Sequence, residues 1–84
     1  MTTGAKANVV QMAAQWRSAR DACRGLPSWG EMMPQIKRLI QARADYNHES
    51  IASALEGVLG KVKGDAGSQM WLMAAAVEIM DPSE

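Results

Sequence analysis

The longest apolar run of the chain lies near its end, at residues 70–80, and reads Met-Trp-Leu-Met-Ala-Ala-Ala-Val-Glu-Ile-Met. Ten of these eleven residues are apolar, and Glu78 is the only charged one. Met, Leu and Ala are strong helix formers. As a helix the run spans about 16 Å, roughly half of a bilayer core. We therefore predict a buried helix over 67–80 that does not cross a membrane.

This helix carries apolar residues on two faces rather than one. At 100° per residue one stripe is Met70, Met73, Val77 and Met80, and the other is Leu72, Ala75, Ala76 and Ile79. A helix that is apolar nearly all round has to be enclosed. Either the rest of the chain covers both stripes, or one stripe packs against a second protein chain. The second interpretation is favoured, because a chain of 84 residues supplies few other helices that could cover this one.

The first helix is predicted over 6–24. Its apolar residues recur at steps of three and four: Val9, Met12, Ala13, Trp16, Ala19 and Cys23. Gly25 is placed to end this helix in the left-handed conformation, and Pro27 prevents its continuation.

A second helix is predicted over 28–45. Ser28 and Glu31 have the spacing of a capping box, in which each side chain accepts from the other residue's amide. Pro34 lacks the amide that would bond to the carbonyl of Gly30. The helix is therefore expected to be kinked or broken at Pro34.

The third helix is predicted over 48–63. Asn47 is a preferred N-cap, and Tyr46 and Ile51 have the spacing of a hydrophobic staple. Gly57 and Gly60 weaken this helix unless packing compensates. Asp65 or Ser68 is then expected to cap the final helix, and Asp81-Pro82 to end it.

These patterns predict an all-α fold: one domain over 1–84, built as a compact four-helix bundle-like structure with short loops. Residues 1–4 and 82–84 are expected to be loose tails. The predicted core comprises Val9, Met12, Trp16, Ile36, Leu39, Ile40, Ile51, Leu55, Val58, Val62, Leu72 and Ile79.

Charge is balanced overall but divided between the two halves of the chain. Residues 1–43 carry a net charge of +5 and residues 44–84 a net charge of −5. The favoured interpretation is that the halves complement each other when the chain folds. The alternative is a DNA-binding or regulatory protein with a basic face on the first two helices. That face comprises Arg17, Arg20, Arg24, Lys37, Arg38 and Arg43.

One segment bears on the DNA-binding alternative. Residues 48–62, His-Glu-Ser-Ile-Ala-Ser-Ala-Leu-Glu-Gly-Val-Leu-Gly-Lys-Val, resemble the first half of a helix-turn-helix motif. Glu56 occupies the position where that pattern has its turn glycine. The recognition helix that the resemblance implies contains Gly60, Gly64, Asp65 and Gly67, which are poor helix formers.

Residues that could carry catalysis are scarce. Cys23 is the only cysteine and His48 the only histidine, so one chain can form neither a disulfide nor a Cys/His zinc site. Cys23 ends an apolar stripe and is expected to be a buried structural thiol, and His48 a surface residue. We expect no enzyme activity and no cofactor. The first residues lack the apolar core of a secretory signal, so the expected location is cytoplasmic.

Protein interaction is the function class that the composition favours. The chain has seven methionines, which adapt to irregular partner surfaces, and tryptophans lie beside two of the methionine-containing segments. The predicted contact residues are Trp29, Met32, Met33, Met70, Trp71, Met73, Val77 and Met80. The competing interpretation is that they fill a core that lacks phenylalanine. The predicted function is a small accessory protein, an adaptor, co-chaperone or inhibitor that occludes a partner's surface, and that also self-associates as a homo-oligomer.

Overall fold

Four α-helices account for most of the chain in the computed structural model, which describes the backbone of residues 3–81 and the side chains of residues 14–81. The helices are α1 (Thr3–Arg24), α2 (Trp29–Asn47), α3 (Ile51–Leu59) and α4 (Ala66–Met80), and a 3₁₀ turn at Gly60–Val62 follows α3. Residues 3–81 contain no strand. The prediction of a compact all-α fold with four helices is confirmed.

Helix α4 is the central element, and α1, α2 and α3 all pack against it. Five consecutive or nearly consecutive residues in its middle are buried: Leu72, Ala74, Ala75, Ala76 and Val77. Successive helical residues point 100° apart, so these side chains cover every direction around the helix axis. The three alanines have no exposed surface at all. Small side chains at these positions allow neighbouring helices to approach closely.

A second chain on α4 was expected because few elements of this chain were available to cover that helix. The fold covers the middle of the helix within one chain. Val77 is buried, and Met70 and Met73 are half-buried against the core. Met80, at the last turn, is the one member of that stripe classed as exposed, at 45%. The other chain segments therefore cover most of what the sequence analysis assigned to a partner.

The core agrees with the prediction at its centre and departs from it at one position. Ile40, Leu55 and Leu72 are buried as expected. Six other predicted members are half-buried against the core: Trp16, Ile36, Ile51, Val58, Val62 and Ile79. Leu39 was wrongly placed there, because its side chain is 54% exposed. The side chains of Val9 and Met12 lie outside the described residues.

The start of α2 differs from the predicted capping box. Ser28 makes no side-chain cap, and its carbonyl instead accepts from the amides of Glu31 and Met32. The amide of Trp29 donates to the carbonyl of Leu26, so a tight turn already leads into the helix. α2 then runs through Pro34 without interruption, and the predicted break there is wrong. A bend at Pro34 stays a prediction.

Helix α2 ends two residues later than predicted, in a Schellman motif. The amide of Glu49 donates to the carbonyl of Ala44, and His48 adopts the left-handed conformation with φ 55°. Asn47 is thus the last residue of α2 rather than the N-cap of α3. His48 is on the surface, as predicted.

Ser50 is the residue that caps α3. Its hydroxyl oxygen accepts from the Ser53 amide at 3.0 Å. Tyr46 is 86% exposed and lies on the preceding helix, so the predicted staple with Ile51 is not formed. Ser50, three residues after the predicted cap Asn47, therefore determines where the helix begins.

The connection into α4 follows the sequence prediction more closely. Gly64 takes a positive φ of 88°, and Asp65 accepts from the Ser68 amide at 3.1 Å and from the Ser68 hydroxyl at 2.6 Å. α4 ends at Met80, before Asp81. Gly25 does not have the positive φ expected of it. The connection from α1 to α2 is instead a turn in which the Leu26 amide donates to the Cys23 carbonyl.

Helix α1 begins at Thr3, earlier than predicted. Thr3 and Gly4 are therefore helical, although a loose tail was predicted there. Residues 1–2 and 82–84 lie outside the described part of the chain. Among the described helices none has the length and apolar character needed to cross a membrane.

The close packing around α4 makes a test of its central position. We expect Ala75→Leu to lower the free energy of unfolding by about 1–3 kcal/mol, because three added carbon atoms have no space between the helices. Chemical denaturation monitored by helical circular dichroism measures the change. Ala66→Leu, at an exposed position of the same helix, is the matched control and should change stability by about 0.5 kcal/mol or less. Equal effects of the two substitutions would contradict the enclosure of α4.

Candidate functional site

An open apolar groove lies between α2, the end of α3 and the start of α4. It encloses about 420 Å³. Its lining residues come from all three elements: Met32, Ile36, Leu39, Val58, Val62, Gly67, Ser68, Trp71 and Leu72. None of them is charged, and Ser68 carries the only polar side chain. A concave apolar surface of this size falls within the usual range of binding sites.

A second, more open depression continues the groove toward the end of α2. Leu39 and Val58 line both, so the two are contiguous. The second depression encloses about 680 Å³. It adds Ala42 and Tyr46 to the surface, together with three polar or charged groups: Arg43, Asn47 and Lys61. The joined surface is called the α2 groove below.

The exposed apolar residues of the α2 groove form a line along α2. Met32 is 37% exposed, Leu39 54% and Tyr46 86%. They lie seven residues apart, which is close to two helical turns, so they share one face of the helix. From Met32 to Tyr46 the line is about 21 Å long.

Arg43 is held in place at the rim of the groove. Its Nε donates to a carboxylate oxygen of Glu49 at 3.0 Å. Its guanidinium lies over Gly57, where a Cβ would overlap it. The weak helix former Gly57 therefore gives room to a side chain from α2, and this contact is part of the packing that compensates for it.

Glu49 organises the loop that supports this rim. Besides Arg43, it accepts from the Ser53 hydroxyl at 2.8 Å and from the Asn47 side-chain amide at 3.1 Å. The hydrogen bonds from Ser53, Asn47 and Arg43 lower the pKa of Glu49, because they stabilise the ionised carboxylate. The loop between α2 and α3 is thus tied to both helices through one carboxylate.

The predicted protein-contact residues separate into three groups, with Trp29 packed beside the first. Met32 and Trp71 line the α2 groove, and the ring of Trp71 packs beside that of Trp29 with centroids 6.1 Å apart. Met33 and Val77 are 4% exposed and belong to the core. The remaining three members, Met70, Met73 and Met80, lie on α4 outside the groove lining.

The predicted basic face is partly neutralised within the chain. Arg24 pairs with Glu78 at 2.9 Å and lies over the ring of Trp29 at 5.7 Å. Arg20 also approaches Glu78, at 4.0 Å, and Arg43 pairs with Glu49. Arg17 and Arg38 are exposed, and Lys37 is half-buried. Folding therefore brings basic groups of the first half against acidic groups of the second.

The segment that resembles a helix-turn-helix does not continue into a recognition helix. After α3 the chain forms the 3₁₀ turn Gly60–Val62 and then the Gly64 turn before α4 begins. The middle of α4 is buried, so it presents no free face to a DNA groove.

Leu39, Tyr46 and Lys61 are groove residues that the sequence analysis did not identify as a site. A signal was present in the sequence. Met33, Ile40 and Ala44, the buried residues of α2, form one stripe, and Met32, Leu39 and Tyr46 form a second stripe displaced from it. α2 packs against both α3 and α4, and the residues of the second stripe stay exposed beside these contacts.

Groups capable of metal binding or nucleophilic chemistry are sparse in the described residues. Residues 14–81 contain no cluster of three or more His, Cys, Asp or Glu side chains. Cys23 is fully buried, and burial raises the pKa of its thiol, which disfavours the reactive thiolate. The prediction that Cys23 is a buried thiol is confirmed.

The hydrogen bonds of Glu49 generate a prediction about pH. A carboxyl whose pKa is lower in the folded chain stabilises the fold above its unfolded pKa, and this contribution is lost as the pH falls through the folded value. We expect Glu49→Gln to lower the thermal midpoint at pH 7, with the difference from the unchanged chain closing below about pH 4. Glu56→Gln, on the exposed surface of α3, is the control and should have little effect. A difference that persists unchanged at acid pH would contradict the role of the Glu49 carboxylate.

Comparison of the chain with protein-family models, with curated proteins and with solved structures finds no match.

Proposed function

We propose that this chain is a small, non-catalytic protein-interaction module that binds its partner through the α2 groove. An adaptor, a co-chaperone or an inhibitor that occludes a partner's surface are the forms such a module takes. The observation that carries the proposal is the line of exposed apolar side chains along α2, at Met32, Leu39 and Tyr46.

Exposed apolar surface of this kind argues for a binding role because it is concentrated. Scattered apolar residues on a surface need no explanation. Here three large ones share one helix face and border a groove whose floor includes Trp71 and Val62. Burying a leucine-sized side chain contributes about 1.5–3 kcal/mol. Met32 and Leu39 are already partly covered, so a partner that covers this line gains part of that amount at each of them.

The competing interpretation of the methionines and tryptophans as core residues applies to part of the set. Met33 belongs to the core, whereas Met32, its neighbour, lines the groove. Adjacent methionines on one helix thus have different roles. Met32 keeps the adaptable, polarizable surface that suits a partner of irregular shape.

The alternative of nucleic-acid binding has less support from the arrangement of charge. Arg20, Arg24 and Arg43 each have a carboxylate within 4.0 Å, so their charges are partly offset within the chain. Phosphate binding by the basic face would have to compete with these ion pairs. We therefore place the protein partner first.

The role of the groove can be tested by removing one side chain that contributes nothing to the core. We expect Leu39→Asp to leave the helical circular dichroism unchanged but to reduce capture of the partner from extracts of the source cell by more than tenfold. Quantitative mass spectrometry of the captured proteins measures the loss. Ala22→Asp, at an exposed position of α1, is the control and should capture the same protein as the unchanged chain. Equal capture by both variants would exclude the groove as the binding surface.

Two further measurements test the related predictions. Light scattering at micromolar protein concentration determines whether the module self-associates, and Leu39→Asp should yield a single-chain mass if the groove is the contact. Mobility shifts with duplex DNA at about 50 and about 200 mM salt test the alternative. Steeply salt-dependent DNA binding that Arg17→Ala and Arg38→Ala weaken would favour it over the present proposal.

A further inference from the structure

We infer that the partner segment is a single amphipathic helix of about four turns, carrying carboxylates beside its apolar stripe, and that it lies along α2 in the α2 groove. This inference rests on the proposed function and specifies the chemistry of the partner. It is carried by three properties of the groove: its length, its apolar anchor site and the sign of its charges.

The length and spacing of the exposed residues match a helix. Met32, Leu39 and Tyr46 lie along one face of α2 over about 21 Å, the length of a helix of about 14 residues. Apolar residues of a docked helix recur at three- and four-residue steps and return to the same face after seven. A partner helix lying along α2 can therefore meet all three side chains from one face.

The groove floor supplies an anchor site near one end of this line. Trp71 is half-buried, packs against Trp29 and faces the groove together with Leu72. Rigid aromatic groups of this kind are enriched among the residues that contribute most to binding. Ser68 and Gly67 leave the same end uncharged.

The charged groups that line the groove are all basic. Arg43 and Lys61 line it, and no Asp or Glu does. Lys61 is exposed and forms no ion pair with any described residue. Arg43 is oriented by Glu49 and remains partly exposed, at 30% of its side chain. A partner with carboxylates flanking its apolar stripe is complementary to this rim.

A second copy of this chain fits the same surface less well. In a two-fold symmetric contact both copies present the same lining residues, so the interface would contain Arg43 and Lys61 twice and no carboxylate from the groove lining. Like charges across an interface oppose association. The charge of the groove therefore favours a separate acidic helix.

Selection from a peptide display library can determine which charge the groove prefers beside the apolar stripe of a bound helix. The library presents 16-residue helix-forming peptides with apolar residues fixed along one face and flanking positions varied among Glu, Gln and Lys, and the full chain is the bait. We expect Glu to be enriched at the flanking positions. Fluorescence anisotropy then measures the affinity of synthetic peptides from the selection. We expect the peptides to bind the Leu39→Asp variant more than tenfold more weakly than the unchanged chain, and to bind the Ala22→Asp variant with unchanged affinity.

Charge reversal tests the rim itself. Lys61→Glu should weaken the acidic peptides by roughly two- to fivefold and strengthen their Glu-to-Lys counterparts by a similar factor. Lys63→Glu is the matched control: Lys63 is an exposed cation two residues away that does not line the groove. It should change both affinities less than Lys61→Glu does.

Several results would overturn the inference. These are enrichment of Lys or no charge preference in the library, equal effects of Lys61→Glu and Lys63→Glu, and a dimer in light scattering that Leu39→Asp dissociates. The last result would assign the groove to a second copy. If capture of a cellular partner depends on Leu39 but either of the first two results is obtained, the binding function is retained and the acidic helix is rejected. If capture does not depend on Leu39 and the library shows no preference for Glu, the groove is rejected altogether.

Discussion

The close packing of three helices around the alanine-rich middle of α4 is the constraint on which the rest of the structure depends. Ala74, Ala75 and Ala76 have no exposed surface, so their neighbours on α1, α2 and α3 approach the α4 backbone closely. Because α4 is apolar on all sides, it needs all three neighbours at once. Each outer helix is then left with one face toward α4 and another toward the surroundings.

Helix α2 shows the consequence of this arrangement most clearly. Its buried stripe, which includes Met33 and Ile40, packs against the core, and that contact fixes the rotation of the helix. Met32 and Leu39 immediately precede these two residues, so the same rotation places them beside the groove. Stability alone gives no reason for large apolar residues on that side. The second stripe is therefore the part of the sequence that calls for a functional explanation.

Sequence reasoning predicted the helices well because their determinants are local. The periodic apolar residues of α1 and the Asp65 cap of α4 act within one or two turns of the chain. It failed where two local signals compete. Asn47 and Ser50 are both suitable N-caps, and the left-handed His48 between them decides the outcome in favour of Ser50. It also failed for Leu39, because periodicity gives the spacing of a stripe but not which of two apolar stripes faces the core.

Folding brings some basic groups into ion pairs with carboxylates and leaves Lys61 outside the pairs formed by the described residues. The carboxylate of Glu78, near the end of α4, approaches Arg20 and Arg24 near the end of α1, and Glu49 holds Arg43, so much of the attraction between the two halves of the chain is realised inside the fold. Lys61 lies outside these pairs, beside the apolar line of α2. The apolar line supplies affinity, and a charge next to it selects among apolar partners by sign. Affinity and selectivity in the α2 groove thus arise from different residues, and substitution can separate them.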